Sequence, residues 1–200
     1  MPVRIAAALL VLGLALPCQA KNHLWKFTEF FSNADGTIQF IEMQECCGSD
    51  VEVQMSATSM VSNAHTYPFP NNLPGPTAHR WIIIATQGFA ALPGAPTPDY
   101  IMPNHFFDPN GDTLRYRGTT DLVTLQPGAL PLDGVSSLDR NLTTGQLTVI
   151  VNNPINFADV HGSVRVPMIP VAAPPLSVLV ALGVLSIGVL GLRGRLRRAG

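Results

Sequence analysis

Proline and glycine interrupt this chain so often that long helices are excluded from its centre. The 200 residues contain 18 Pro and 17 Gly, and the central part holds no apolar period of 3.6 residues over more than two turns. Short apolar or alternating runs lie instead between turn sequences. Strands at this spacing, without helices between them, predict an all-β domain and favour a β-sandwich over an α/β sheet.

Several runs have the pattern of a strand. "LWKFTEFF" (24–31) and "TIQFIEM" (37–43) flank "SNADG", which predicts a hairpin. "VEVQM" (51–55) alternates, which predicts a strand with Val51, Val53 and Met55 on one face. "RWIIIAT" (80–86) is continuously apolar, as in a strand buried on both faces. The remaining predicted strands are 66–69, 113–117, 121–125 and 147–151, and 88–94 is expected to form one helical turn.

The charges of the chain are segregated. Residues 21–170 hold all 13 acidic residues and 7 basic ones, a formal charge of −6, whereas the other five arginines lie near the two ends. An acidic central domain disfavours nucleic acid as a partner, because binding to phosphates needs clustered Lys and Arg.

The first 20 residues have the pattern of a signal peptide. A short basic region, "MPVR", precedes an uncharged run of 12 residues and the sequence "PCQA", with Ala20 before the predicted cleavage point. The run is too short to span a membrane as a helix. A lipoprotein signal with Cys18 as the modified residue is the alternative, although Pro17 replaces the small residue usual before such a cysteine.

The last 35 residues predict a membrane anchor. Residues 166–175 form a Pro-rich linker, 176–192 are uncharged, and 193–200 contain four arginines. A helix of 17 residues spans about 26 Å, near the lower limit for a membrane helix. The arginines place the tail in the cytoplasm and the domain of residues 21–165 outside it, at the cell envelope.

This C-terminal arrangement resembles the sorting signals of exported bacterial proteins, above all the exosortase (PEP-CTERM) type. "VPMIPVAAPP" stands where that type has its Pro-Glu-Pro signature. The resemblance implies a sorting peptidase as partner and release after tail processing. A permanent single-helix anchor explains the same residues.

The central domain resembles lamin-tail-type domains of exported bacterial proteins. The resemblance rests on the order "FTEFFSNADGTIQFIEM", "NLPGPTAHRWIIIAT", "GFAALPGAPTPDY" and "GDTLRY", and covers roughly residues 24–125. It implies an immunoglobulin-like β-sandwich that serves as an accessory or interaction module, and it transfers no catalytic residues.

The sequence "FDPNGDT" (107–113) is the one candidate metal site. Asp108, Asn110 and Asp112 offer oxygen ligands at alternate positions, as calcium binding requires. The spacing is not that of an EF-hand, and Pro-Asn-Gly-Asp is also an ordinary turn between strands. A turn is the favoured interpretation, with calcium as the alternative.

Other constellations point to no named reaction. The five histidines are scattered, and the chain contains no HExxH, GxSxG, GxGxxG or P-loop motif. Glu29, Asp35, Glu42 and Glu45 cluster in sequence, but alternate strand positions are expected to be solvated.

Cys46 and Cys47 are the only cysteines outside the predicted signal peptide. A bond between them would force a tight turn, which the following Gly48 would accept. The pair is otherwise buried and reduced, joined to another molecule, or part of a redox or metal site. A structural role, bridged or buried, is favoured, because no C-x-x-C motif or set of four zinc ligands is present.

These features predict an exported, non-catalytic module that is tethered at the envelope and acts as a cell-surface or matrix component with an unidentified ligand. The alternatives are an exported metal-dependent hydrolase, with ligands from Asp108, Asp112 and histidines, and a calcium-stabilised adhesive domain.

Overall fold

A computed structural model describes residues 22–167 of the chain. The predicted signal peptide, the transmembrane helix at 176–192 and the basic tail lie outside these residues, as does most of the Pro-rich linker. In the described part, no helix is both long enough and apolar enough to cross a membrane.

The described residues form a mostly β structure of two sheets with almost no helix, which agrees with the predicted all-β sandwich. The helical content is one 3₁₀ turn, Met55–Ala57, and one short α-helix, α1, Gln87–Ala90. The strands are β1 Trp25–Ser32, β2 Gln39–Glu45, β3 Ser59–Val61, β4 Thr66–Pro68, β5 Trp81–Thr86, β6 Tyr100–Met102, β7 Asp112–Tyr116, β8 Asp121–Leu125, β9 Ser136–Arg140 and β10 Leu147–Val151.

The larger sheet has six strands in the order β10-β9-β1-β2-β5-β6. Its pairs are antiparallel except β5 with β6, which is parallel. β1 and β2 form the predicted hairpin, and the register shifts between Phe27 and Glu29, where Thr28 is the extra residue of a β-bulge. The smaller sheet has the order β4-β3-β7-β8.

The main core fills the space between the two sheets, because one face of each central strand is apolar. Trp25, Phe27 and Phe30 of β1 lie in it beside Ile82 and Ile84 of β5. Asp121 at the start of β8 joins the two sheets: its Oδ2 accepts the Phe27 N–H at 2.8 Å and pairs with Arg140 Nη1 of β9 at 2.7 Å.

The outer face of the six-stranded sheet is also covered. A second apolar cluster there contains Phe31, Phe40, Ile83 and Ala85, with Phe89 of α1 packed on it. Residues 152–166, named here the strap, cross this face, and Val164 contributes to the cluster. The strap turns back on itself, since Ile155 bridges His161 and the Gly162 N–H donates to Pro154 O at 3.0 Å.

The structure differs from the predicted strands at four places. The segment 51–55 is not a strand: Val51 is 54% exposed, whereas Met55 is fully buried and begins the 3₁₀ turn. Side chains take the place of a partner strand there, because the Glu52 N–H donates to Thr77 Oγ1 and Glu52 O accepts Trp25 Nε1. The sequence patterns also missed β3, β6 and β9.

Candidate functional site

Three carboxyl side chains lie side by side across the outer face of the six-stranded sheet. Glu29 of β1 pairs in register with Glu42 of β2 on one side and with Asp139 of β9 on the other. We call Glu29, Glu42 and Asp139 the carboxyl row. Like charges directly opposite each other destabilise a sheet, so the row needs a compensating feature.

Hydrogen bonds supply part of that compensation. The Thr28 hydroxyl donates to Glu42 Oε1 at 2.7 Å, and the Ser137 hydroxyl donates to Glu29 Oε1 at 2.6 Å. The bulge at Thr28 makes the first bond possible, because the extra residue of β1 stands next to Glu42 rather than on the core face.

Protonation supplies the remaining compensation, because a protonated carboxyl group carries no charge. Glu29 is 2% exposed and Glu42 is 4% exposed. Burial raises the pKa of Glu29 to about 7, against the hydrogen bonds from Ser137 and Asn153, which lower it. Burial, with the charge of Glu29 as the next cause, raises the pKa of Glu42 to about 8. Near neutral pH both side chains therefore hold a proton for much of the time.

The row borders an open cleft of about 310 Å³. Trp81, Gln44 and Arg140 are among its other lining residues, and the strap contributes Asn153 and Ile155. The cleft is thus a polar groove between the sheet, the strap and the loop after β9. Carboxyl groups with raised pKa values in a cleft are typical of functional sites, although structural networks produce the same shifts.

The expectation that the clustered glutamates are solvated is wrong for Glu29, Glu42 and Glu45, all of which are buried. Their neighbours in the chain carried the signal: Phe30 and Phe31 follow Glu29, and Phe40 and Ile41 precede Glu42. A strand that is apolar at successive positions is covered on both faces, so a glutamate within it is buried as well.

The predicted calcium residues lie at the start of β7: Asp108 and Asn110 are in the loop that leads into the strand, and Asp112 is its first residue. Asp112 Oδ1 accepts the N–H groups of Asn63 at 2.8 Å and Thr113 at 2.6 Å, and its Oδ2 accepts the Asp108 N–H at 2.9 Å. Asp108 Oδ1 accepts the Asn110 N–H at 2.8 Å, and the Gly111 N–H donates to Asp108 O. The segment therefore forms a turn in which the carboxylates bind backbone N–H groups.

Asp108 and Asp112 line a second cleft, of about 340 Å³, together with His65 and His105. Asn110 is not among the lining residues. Within residues 22–167, no group of three or more His, Cys, Asp or Glu residues is placed to hold a metal ion.

Cys46 and Cys47 are bonded to each other in the structure. They lie directly after β2, and the buried Glu45 carboxylate organises their turn. Glu45 accepts the N–H groups of Cys47 at 3.1 Å, Gly48 at 2.7 Å and His79 at 2.9 Å. Gly48 has a positive φ of 81°, the conformation that glycine adopts most readily.

No family model, curated protein or solved structure matches this chain. Its function must therefore be inferred from its own residues. In the carboxyl row, Glu29 and Glu42 bind backbone N–H groups and exchange protons near neutral pH, and the Cys46–Cys47 turn offers a partly exposed disulfide whose loop is held by one carboxylate.

Proposed function

We propose that the chain is an exported β-sandwich module held at the cell envelope, where it acts without catalysis as a surface or matrix component. In this proposal, residues 1–20 direct export, residues 176–192 anchor the chain, and the sandwich lies outside the cytoplasm. The finer fold assignment, an immunoglobulin-like sandwich of the lamin-tail type, belongs to the same proposal.

The observation that carries the proposal is the bond between Cys46 and Cys47. Disulfides persist in exported proteins and are rare where thiols are kept reduced. This bond uses both cysteines that remain after the predicted signal peptide, so the exported chain would contain no free thiol.

The carboxyl row supports a non-catalytic role. Glu29 and Glu42 have the raised pKa values expected of an acid–base pair. Both are nevertheless almost fully buried and bound to the strap backbone through Asn153 and Ile155. A catalytic carboxyl must reach the proton that it transfers, and these two bind their own chain instead.

Cell fractionation with an internal tag tests the proposed location. Gly118 lies in the exposed turn between β7 and β8 with open space around it, so a tag after Gly118 should leave the fold intact. We expect the tagged chain in the envelope fraction, with an intact mass lower by the signal peptide and by two hydrogens. Recovery in the cytoplasm would contradict the proposal.

A matched variant separates the anchor from the export signal. Removal of residues 176–200 should release the tagged domain in soluble form on the far side of the membrane, still without its signal peptide. If this variant stays with the membrane, the C-terminal run is not what holds the domain there.

A further inference from the structure

The strap is attached to the sheet by carboxyl groups at alternate positions. The Asn153 N–H donates to Glu29 Oε1 at 3.1 Å, and the Ile155 N–H donates to Glu42 Oε2 at 2.7 Å. The Phe157 N–H donates to both oxygens of Asp99, at 3.1 and 3.2 Å. Side-chain carboxyl groups thus take the place of the neighbouring strand that would otherwise bind these N–H groups.

We propose that Glu29 and Glu42 form a proton-controlled latch, which holds the strap on the outer face of the six-stranded sheet and loosens it when both side chains are ionised. The two side chains are paired in register on adjacent strands. While at least one of the two carboxyl groups is protonated the pair carries at most one charge, whereas two negative charges on facing residues of adjacent strands repel each other in a poorly solvated site.

The surroundings leave this repulsion unbalanced. The charged or titratable groups around the latch are Lys26 on β1, Arg80 before β5, Asp99 before β6, Asp139 and Arg140 on β9, and Asp159, His161 and Arg165 on the strap.

The best placed cations are engaged elsewhere. Arg140 pairs with Asp121 at 2.7 Å, and Lys26 Nζ donates to Thr120 O at 2.7 Å. Arg80 lies over the Phe157 ring, 5.9 Å from its centre. Asp139, by contrast, adds a third carboxyl beside the pair. Ionisation of both glutamates is therefore relieved most easily by movement of the strap, which lets water reach them.

Release of the strap would have a defined structural consequence. Val164 leaves the outer apolar cluster, and Phe31, Phe40 and Ile83 lose part of their cover. Of the strap residues, only the partly buried Phe157 packs against the main core between the sheets, so the sandwich itself is expected to stay folded. The latch thus controls whether the outer apolar cluster stays covered. It also controls whether the C-terminal end of the domain, which continues into the predicted linker, stays attached to the sheet.

The raised pKa values set the direction of the response. The closed strap keeps the pKa of Glu29 at about 7 and that of Glu42 at about 8. When the strap opens, both return toward ordinary glutamate values, so opening releases protons. Higher pH therefore favours the open strap, and mildly acidic pH favours the closed one.

Hydrogen exchange of the full chain tests the latch. Rates are corrected for the intrinsic effect of pH. We expect the protection of the Asn153 and Ile155 amides to fall at least tenfold between about pH 6 and about pH 9. Each glutamate whose pKa is about one unit higher with the strap closed than with it open shifts the opening equilibrium by up to about tenfold, so even a partial return of the two pKa values gives this change. The paired amides of β7 and β8 should keep their protection, because they lie in the other sheet.

Two variants show which groups are responsible. The double variant Glu29→Gln/Glu42→Gln carries no titrating group at the latch, so its strap protection should change less than about twofold over the same range. Asp139→Asn is the matched comparison: it removes a neighbouring carboxyl that helps to raise the pKa of both glutamates but no bond to the strap, so its response should be smaller than that of the wild type and larger than that of the double variant.

Several results would overturn the latch. The first is that the strap amides of the wild type are equally protected at both pH values. The second is that the strap and the β7–β8 pair lose protection together at the higher pH. The third is that the double variant responds to pH as strongly as the wild type. If the double variant fails to fold, Glu42→Gln alone must reduce the response, and the wild-type comparison still decides the question.

Discussion

Glu29 and Glu42 lie directly opposite each other on β1 and β2, each almost fully buried and each bound to one backbone N–H of the strap. Two facing acids would be a defect in an ordinary sheet. Here the bulge at Thr28, the Ser137 hydroxyl and the strap together give the pair four hydrogen bonds. The arrangement links the stability of this face to pH.

The first prediction concerns global stability. Glutamates of the unfolded chain titrate near their ordinary pKa of 4.5, whereas those of the folded chain titrate at about 7 and about 8. Between these values the folded state holds protons that the unfolded state has released, so stability is lost as pH rises. We expect urea unfolding to give a free energy of unfolding at least about 3 kcal/mol lower at high pH than at low pH, because the shift of Glu29 alone, from 4.5 to about 7, corresponds to about that amount.

Glu42→Gln should reduce this pH dependence without abolishing it, because the amide cannot ionise whereas Glu29 still titrates. The pH range that decides the question is about 5 to 8, because it lies between the ordinary pKa of glutamate and the raised pKa values of the folded chain. A wild-type domain that becomes more stable as the pH rises through this range would show that the pair is ionised in the folded state.

The second prediction concerns the bond between the two sheets. Asp121→Asn removes the charge that pairs with Arg140 and weakens the acceptor of the Phe27 N–H. Breaking a mostly buried ion pair leaves the other charge uncompensated, so we expect a loss of about 2–4 kcal/mol in chemical denaturation.

Asp159→Asn is the control for this variant, since Asp159 lies 3.8 Å from His161 in a pair that is more than half exposed. It should change stability by less than about 0.5 kcal/mol. Equal effects of the two variants would mean that the Arg140 pair contributes no more than a surface contact.

The sequence predicted the long strands and the class of fold, because burial on one or two faces leaves a periodic pattern. β1, β2, β5 and β8 all lie within two residues of their predicted bounds. The three-residue strands β3 and β6 are too short for any period to appear, and "SSLDR" of β9 contains only one large apolar residue.

The carboxyl row was harder to predict for a different physical reason. Glu29 and Glu42 are 13 positions apart and Asp139 lies on a distant segment, so only the sheet register brings them together. The strap is irregular, and its hydrogen bonds to side chains leave no periodic signal. The sequence "NNPINFADVHGSV" predicts only an ordered loop or irregular edge, and nothing in it identifies its acceptors.

The third prediction separates a turn from a calcium site. Asp112 binds three backbone N–H groups, so Asp112→Asn should cost about 1–3 kcal/mol. We expect the same loss with calcium and with chelator, measured by thermal unfolding. Asp108→Asn is the milder comparison, because Asp108 is exposed and its Oδ1 bonds only within the turn. A loss seen only with calcium present would assign the two carboxylates as ligands.

The fourth prediction concerns the disulfide turn. Glu45 binds the N–H groups of Cys47, Gly48 and His79 through both of its oxygens. Glu45→Gln leaves only one oxygen that can accept these N–H groups. The amide NH₂ that replaces the other oxygen is itself a donor and cannot accept them, so the turn should open more readily. A local loss of about 1 kcal/mol corresponds to about fivefold faster reduction of the Cys46–Cys47 bond by a small dithiol, followed by alkylation and mass measurement.

Asp50→Asn provides the matched control for this turn. Asp50 is exposed and four residues from Cys46, so its replacement removes the same charge from the same loop without removing an acceptor of these N–H groups. If both variants speed reduction equally, the effect comes from lost negative charge near an approaching thiolate. If only Glu45→Gln does so, the three hydrogen bonds are what protects the disulfide.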